Sequence, residues 1–334
     1  MNNANLKINI GKNDKGEYFS YDLTYMPHIL IGGVTGSGKS QFIHNTIWQL
    51  IENNSSEEIK FIMSDCNRVE LVQYSKIPYM YAPVLTEGHT GVGMFEWLDY
   101  EQEKRYNLLR EARVKTTDDY NKKYEKPILP KIIVIIDELA NLSEDYPKIE
   151  RGIIRIAQLA KYIGIHMVIA TQACNKNILT GLIKANIPSR IAFKTKDVEA
   201  SKMIIDQTGA EELKGKGDML FIPPISAKPI RLQGDYISDQ EIFDRVEKFN
   251  SDTPSYHEVL LYATRRDNYN ISENELNDAI KLAKIEGEIK TSTLQRGLSL
   301  GYAKCAKLMD LMEEKGIISK MDPHTKTRKF LKEN

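Results

Sequence analysis

The sequence predicts an α/β protein built on a mainly parallel sheet, followed by a small helical domain that ends in a hairpin. Three observations carry this. Short apolar runs recur at intervals filled by helical patterns, and one of them breaks into a glycine-rich turn before resuming as a helix. Past a polar stretch near residue 250 the pattern then changes to three short helices with a basic excess. Runs that are apolar on both faces and separated by helices suit strands of a parallel sheet covered on both sides. At 334 residues the chain is long enough for one large domain and a small one. Its 41% hydrophobic and 28% charged residues are those of an ordinary soluble globular protein.

Taken in order, Leu6, Ile8 and Ile10 followed by Tyr18, Phe19 and Tyr21 around Gly11 and Gly16 predict a hairpin lead-in over residues 1–27. Strands are then expected at Ile29 to Ile31, Ile59 to Ser64, Ile132 to Ile136 and Ile165 to Ala170. The highly charged stretch Met94 to Lys123 predicts a solvated helix pair packed on the sheet. Ile149, Ile153, Ile156, Ala160 and Ile163 mark one face of a helix stopped by Gly164. Ser189 to Phe193, and Asp218 to Ile222 after the turn Gly215-Lys216-Gly217, complete the sheet, with Pro223-Pro224 ending it. A helix is expected from Ser238 to about Phe249. The first domain spans 1–255, a linker 256–270, and the second domain 271–334. There Ser272 with Glu275 forms a capping box for a helix to Glu286. Helices near Thr293 and from Tyr302 to Lys315, then a hairpin from Ile317 to Leu331 interrupted at Asp322-Pro323, give the layout of a winged helix-turn-helix.

Several function classes are excluded or disfavoured. No apolar run approaches the roughly 18 residues of a membrane span, and Met1 to Asn5 has no charged start leading into an apolar segment. A cytoplasmic chain is expected, without direct membrane insertion. Cys66, Cys174 and Cys305 are far apart with no ligand spacing, which indicates a reducing compartment and no zinc site. Net charge is zero, but from Ile289 to Lys332 ten basic residues face four acidic ones, a local footprint for a polyanion.

The chemistry begins at Ile29 to Ser40, where an apolar strand runs into Gly33-Val34-Thr35-Gly36-Ser37-Gly38-Lys39-Ser40, the GxxxxGK[ST] loop, with Gln41 following. Small residues at Gly33, Gly36 and Gly38 let successive backbone N–H groups converge on phosphates at a helix N-terminus. Lys39 would reach the β and γ phosphates of ATP, and Ser40 would ligate Mg2+. About 100 residues on, the strand Ile132 to Ile136 ends in Asp137-Glu138. The first acid suits the Mg2+ shell and the second a water attacking the γ phosphate, which implies hydrolysis and not binding alone. The next strand ends in Thr171-Gln172, and Gln172 could sense the γ phosphate, with structural packing as its other reading. His166, in mid-strand, reads as a satisfied core histidine.

These residues, with Ile77-Pro78, Gly164-Ile165-His166, Thr180-Gly181-Leu182-Ile183-Lys184-Ala185-Asn186-Ile187-Pro188-Ser189-Arg190, Asp206-Gln207-Thr208-Gly209-Ala210-Glu211 and Gly217-Asp218-Met219-Leu220, resemble the motor of the FtsK/SpoIIIE DNA translocases. Ser292 to Arg296, Gly301-Tyr302 and Met309 to Ser319 resemble that family's γ winged-helix domain. The resemblance implies a RecA-like ATPase core, a homohexamer around double-stranded DNA, and a cation supplied in trans to the neighbour's γ phosphate. Where the family has an arginine, this chain has Lys161, which lacks the bidentate fork; either Lys161 serves or Arg190 shares the role. The family's Thr-Gln-Arg-Pro is Thr171-Gln172-Ala173-Cys174 here, so Lys176 is the nearby substitute for a pore-loop contact. Lys194, Lys196 and Lys202 suit sequence-independent phosphate contact, with ordinary surface as their other reading. In the second domain the family's Gly-Tyr-Asn-Arg is Gly301-Tyr302-Ala303-Lys304, and Tyr302, Lys304, Lys307, Lys326 and Arg328 are the expected duplex contacts. The alternatives are a conjugative or mobile-element coupling ATPase with membrane-bound or mobile-element partners, and a non-motor ATP-switched DNA-binding protein. An FtsK-like protein-export ATPase is disfavoured by the winged helix.

Overall fold

The computed structural model describes residues 4–142, 146–226, 228–249, 254–257, 260–261, 272–298, 300, 302–322 and 327–331, with the backbone alone for 159–161, 273, 302–304 and 306. The chain divides into two compact units, Met1–Thr264 and Arg265–Asn334.

In the first unit, a hairpin of β1 (Lys7–Lys12) and β2 (Tyr18–Asp22) leads to β3 (His28–Gly32), the loop, and α1 (Lys39–Asn53). Then come β4 (Ile59–Ser64), α2 (Thr90–Ala112), α3 (Thr117–Tyr124), β5 (Lys131–Ile136), α4 (Tyr146–Ile163) and β6 (Ile165–Thr171). The unit continues through α5 (Gly181–Asn186), β7 (Ser189–Phe193), α6 (Val198–Ile205), β8 (Asp218–Ile222), β9 (Ile230–Gln233) and α7 (Asp239–Glu247). Among the described residues the strands form one nine-stranded sheet in the order β2-β1-β9-β8-β7-β3-β6-β5-β4. From β4 through β7 neighbours run parallel, while β8, β9 and the hairpin extend the sheet antiparallel. The sheet is therefore mixed, parallel where the phosphate loop sits.

Strand residues alternate between two cores even though β3, β5 and β6 are buried throughout. Ile29, Ile31, Ile133, Ile135 and Val168 pack under Phe42, Ile43, Ile47 and Trp48 of α1. Leu30, Ile132, Val134, Ile136 and Ile169 pack against α2 and α4 through Phe95, Trp97, Ile149, Ile153 and Ile156. Such double coverage requires the continuous β-branched runs that the sequence shows.

The helix pair over Met94 to Lys123 packs on the sheet with its outer face in solvent, as Glu96, Glu103, Lys104, Arg110 and Glu111 show, but two of its charged residues, Glu101 and Arg105, are buried on the inner face. His166 is in the core, as expected, with the backbone of Pro27 and Leu23 as its polar neighbours. Burial holds its pKa well below the ordinary histidine value, and the nearby Lys131 charge adds to this. His28, on the adjacent strand, accepts the Met167 N–H at 3.1 Å, and burial lowers its pKa to about 3.

Both histidines are neutral when folded and gain a proton only in the unfolded chain, so stability is full above about pH 6.5 and falls as pH drops toward 3. Each contributes a loss of up to about 1.4 kcal/mol per pH unit in that window. Asp137, pushed up to about 6 chiefly by burial, acts in the opposite direction between about 6 and its ordinary range. Replacing His166 with Met is therefore expected to flatten the acid limb: the urea midpoint should fall less between pH 7 and pH 5 than in the parent. An unchanged slope would refute the assignment of that limb to His166.

In the second unit, α8 (Glu273–Glu286) opens on a complete capping box in which the Ser272 hydroxyl accepts the Glu275 N–H and Glu275 accepts the Ser272 N–H. β10 (Glu288–Ile289), α9 (Thr291–Leu298), α10 (Tyr302–Glu314) and β11 (Arg328–Lys329) follow, with β10 and β11 paired antiparallel. Ile318 bridges Phe330, and the Leu331 N–H reaches the Ile317 carbonyl at 2.8 Å, so 317–322 and 327–331 form a wing hairpin with β10 as its third strand. Ala283, Ile289, Leu294, Leu308, Met309 and Met312 close a core of its own.

Candidate nucleotide site

The parallel strands end on one side of the sheet, and the order β3-β6-β5 places Thr171-Gln172 between the loop after β3 and the acids after β5. The loop backbone is held by its surroundings. Val34 N–H donates to the Lys194 carbonyl and Gly217 N–H to the Ser37 carbonyl, both at 2.9 Å, and the Ser37 hydroxyl donates to the Val34 carbonyl at 2.6 Å. Gly38 has φ +122°, and a Cβ there would lie 2.6 Å from Gly217 N and 2.7 Å from Gly217 Cα. No side-chain rotation relieves a clash between backbones. Gly38→Ala is expected to destabilise the chain by about 2 kcal/mol and to abolish the thermal shift given by ATP. A variant that keeps both its melting midpoint and its ATP shift would show that the Gly38–Gly217 approach is not required.

Lys39 is buried, and its Nζ donates to the carbonyls of Gly33 and Val34, both at 2.9 Å. Burial lowers its pKa, while the carboxylates of Glu138 and Asp137 oppose that shift. Glu138 Oε1 accepts the Thr171 hydroxyl at 2.5 Å, and Oε2 accepts the Gln172 N–H at 2.7 Å. The Gln172 side-chain oxygen accepts the Thr35 hydroxyl at 2.6 Å, so this one residue touches both the carboxylate and the phosphate loop. Asp137 is buried beside them. Its pKa is raised to about 6 by burial first and then by the neighbouring carboxylates of Asp65, Glu70 and Glu138.

These groups open on a cavity of about 720 Å3 that Thr35, Gly36, Gly38, Lys39, Ser40, Gln41, Asp137 and Gln172 line. Its far wall is Lys216, Gly217, Gln233, Gly234, Asp235 and Tyr236, with Asn67, Val69 and Glu70 on the remaining side. The sequence reading missed these walls. Gly215-Lys216-Gly217 was legible only as a turn, and Gln41 proves to fasten the 234–237 segment by accepting the Ile237 N–H at 2.9 Å. The residues fit a magnesium nucleotide. Ser40 and Asp137 share the cavity, and a buried carboxyl crowded by like charges is one that a divalent cation would stabilise; Mg2+ there needs only one or two protein ligands besides phosphate and water. When bound, Mg2+ would neutralise charge on the phosphates in the transition state.

The other expected residues lie elsewhere. Arg190 is the second residue of β7, largely buried, and its guanidinium bonds the Asp206 carboxylate and the Ile204 carbonyl, so it does not face the cavity of its own chain. Lys161 lies on α4, with its side chain outside the described residues. Lys176 and Lys196 are exposed, and Lys196 lies 3.5 Å from Asp197; Lys194 is half-buried; Lys202 pairs with Glu199 at 3.4 Å. In the second unit Arg328 pairs with Glu313 at 2.7 Å and Asp310 at 3.3 Å on α10. Lys307 is half-buried on α10, the side chains of Tyr302 and Lys304 lie outside the described residues, and so does Lys326.

A strand, glycine loop and helix N-terminus, with paired carboxylates two strands away and an amide on the strand between, define a P-loop ATPase. Residues 1–176 match the model of the FtsK/SpoIIIE family, and residues 271–333 match that of the FtsK gamma domain. The chain belongs to the FtsK/SpoIIIE family, and its second unit is the family's winged-helix γ domain. It is 42% identical over 323 residues to the DNA translocase FtsK of Caldanaerobacter subterraneus subsp. tengcongensis, covering 96% of this chain and 46% of that protein. To the Clostridium tetani DNA translocase FtsK it is 43% identical over 333 residues, covering 96% and 44%. The chain thus spans less than half the length of these relatives. Among solved structures, the pCW3 conjugation coupling protein TcpA superposes with a TM-score of 0.64 at 32% identity, covering 73% of this chain and 70% of that one. The Thermomonospora curvata type VII secretion ATPase EccC shares the fold, with a TM-score of 0.67 at 21% identity over 77% of this chain and 32% of that one. Among the described residues, no helix is long and apolar enough to cross a membrane.

Proposed function

We propose that the chain couples ATP hydrolysis to movement along double-stranded DNA, working in the cytoplasm as a hexameric ring with the γ domain recognising or loading the duplex. The observation that carries this reading is the Gln172 bridge. Glu138 polarises a water for in-line attack, and Gln172 joins that carboxylate to Thr35, so the state of the loop reaches the base through one residue. The Lys194 carbonyl on Val34 runs from the same loop into the 194–202 segment, whose lysines would grip phosphates. Lys161 is the preferred cation in trans, because Arg190 is engaged with Asp206.

The test is ATP turnover with and without duplex DNA, alongside displacement of a triplex strand. Strong stimulation and displacement, both lost in Lys39→Ala, support the motor. Slow turnover indifferent to DNA would overturn it in favour of an ATP-switched binding protein. A second reading, a coupling ATPase that delivers DNA to a membrane-bound partner, draws support from the 32% identity to the pCW3 coupling protein. It predicts recruitment to a membrane by such a partner, which the first reading does not need.

A further inference from the structure

The nucleotide cavity is also reached by a line of polar groups that the strand-end chemistry leaves unused. The Tyr74 hydroxyl, buried beneath α1, lies 2.8 Å from Nδ1 of His44, a buried residue of α1 itself. His44 Nε2 lies 3.2 Å from Oε2 of Glu70. An ionised carboxylate only accepts, so in the neutral ring Nε2 carries the hydrogen and Nδ1 accepts from Tyr74, and a single tautomer satisfies both bonds. The backbone of Glu70 is fixed as well. Fully buried Asp65 accepts the N–H groups of Glu70 and Leu71 on Oδ2, at 2.9 and 2.8 Å, while its Oδ1 has no partner.

A staple between a helix and a loop does not need a charge. Here the brace ends in a half-buried carboxylate that lines the cavity with Lys39, Ser40 and Asp137, its charged form favoured by the His44 bond first and by Ser40 after it. Asp65, Glu70, Asp137 and Glu138 thus gather negative charge around the place where Ser40 and Asp137 would hold the cation. Outer partners of this kind orient the direct ligands and typically set metal affinity by 10- to 100-fold. We propose that Glu70 is a positioning residue for the metal nucleotide, holding a fixed negative charge beside Ser40 and Asp137 behind the cation, with His44 and Tyr74 as its brace. The proposal rests on the ATPase reading of the cavity.

The test uses the full chain and a non-hydrolysable fluorescent ATP analogue titrated with Mg2+, with Mn2+ in its place for an electron paramagnetic resonance readout. Glu70→Gln, which can still accept from His44, is expected to raise the half-saturating metal concentration about tenfold. Metal-free nucleotide binding and the melting midpoint of the nucleotide-free protein should change little. Tyr74→Phe, which removes only the hydroxyl, should move the metal titration in the same direction by a smaller factor. An unchanged metal titration in Glu70→Gln, or an equal loss of affinity with and without metal, overturns the proposal. Lys39→Ala separates the two levels: if it leaves analogue binding intact, the nucleotide reading itself fails, whereas normal loss there with a silent Glu70→Gln defeats only the positioning role.

Discussion

Replacing Glu138 with glutamine is expected to lower the turnover number for ATP by about 10²- to 10⁴-fold, the range for removing a general base, while nucleotide affinity stays close to that of the parent. The geometry explains why the two effects separate. In the parent, Oε2 accepts the Gln172 N–H at 2.7 Å and Oε1 accepts the Thr171 hydroxyl at 2.5 Å. A glutamine can keep its oxygen toward Gln172 and turn its amide toward Thr171, whose hydroxyl rotates to accept. The side chain stays in place, Gln172 keeps its bond to Thr35, and the loop keeps its shape. What is lost is the negative charge and the proton acceptor. Single-turnover hydrolysis against equilibrium binding of the same nucleotide is the measurement. Undiminished turnover would remove Glu138 from the base role, and equal loss of binding and turnover would make it structural.

How legible the site was depended on how local its parts are. Gly33 to Ser40 and Asp137-Glu138 are contiguous strings whose neighbours predict strand and helix, so the chemistry and its support could be read together. Gln172 was placed at a strand end without any means of choosing between packing and sensing; the bond to Thr35 is a contact across 137 residues of chain. The Gly217 and Tyr236 wall was not legible at all, because it forms through β8 and β9, and β9 is only four residues long. The mainly parallel sheet was legible and is present from β4 through β7, and the lead-in hairpin was legible too, whereas the antiparallel pairing of β8 and β9 that joins them was not. Short helices such as α5 and α6 owe their existence to caps, Thr180 and Asp197 each accepting a backbone N–H, and to packing that no periodicity displays. Along α2 a string of letters does not say which cation faces water and which faces its own chain: Lys104 is exposed, and its neighbour Arg105 is buried.

Arg105 makes that last point quantitative. Arg105→Ala is expected to destabilise the first unit by about 3–5 kcal/mol, the range for removing one partner of a buried ion pair, and so to lower its melting midpoint by about 10 °C. The side chain is fully buried, Nε donates to Glu101 Oε1 at 2.9 Å, and one terminal nitrogen donates to the carbonyls of Pro130 and Ile163 at 2.8 and 2.9 Å. Those carbonyls stand at the entry to β5 and the C-terminal end of α4, where a helix has no N–H left to offer and a cation is favoured. Alanine would leave both carbonyls unpaired and strand Glu101, itself buried, with only the half-exposed Lys104 at 3.3 Å. Because the cost arises from stranded groups and not from the pair as such, Arg105→Met combined with Glu101→Gln should lose less than Arg105→Ala alone. If the double variant is instead the weaker of the two, the ion pair itself is stabilising, and the clamp on Pro130 and Ile163 is secondary. Either ordering is read from denaturant midpoints at one pH. An Arg105→Ala midpoint equal to the parent's would mean that the Arg105 clamp on Glu101, Pro130 and Ile163 contributes nothing to stability.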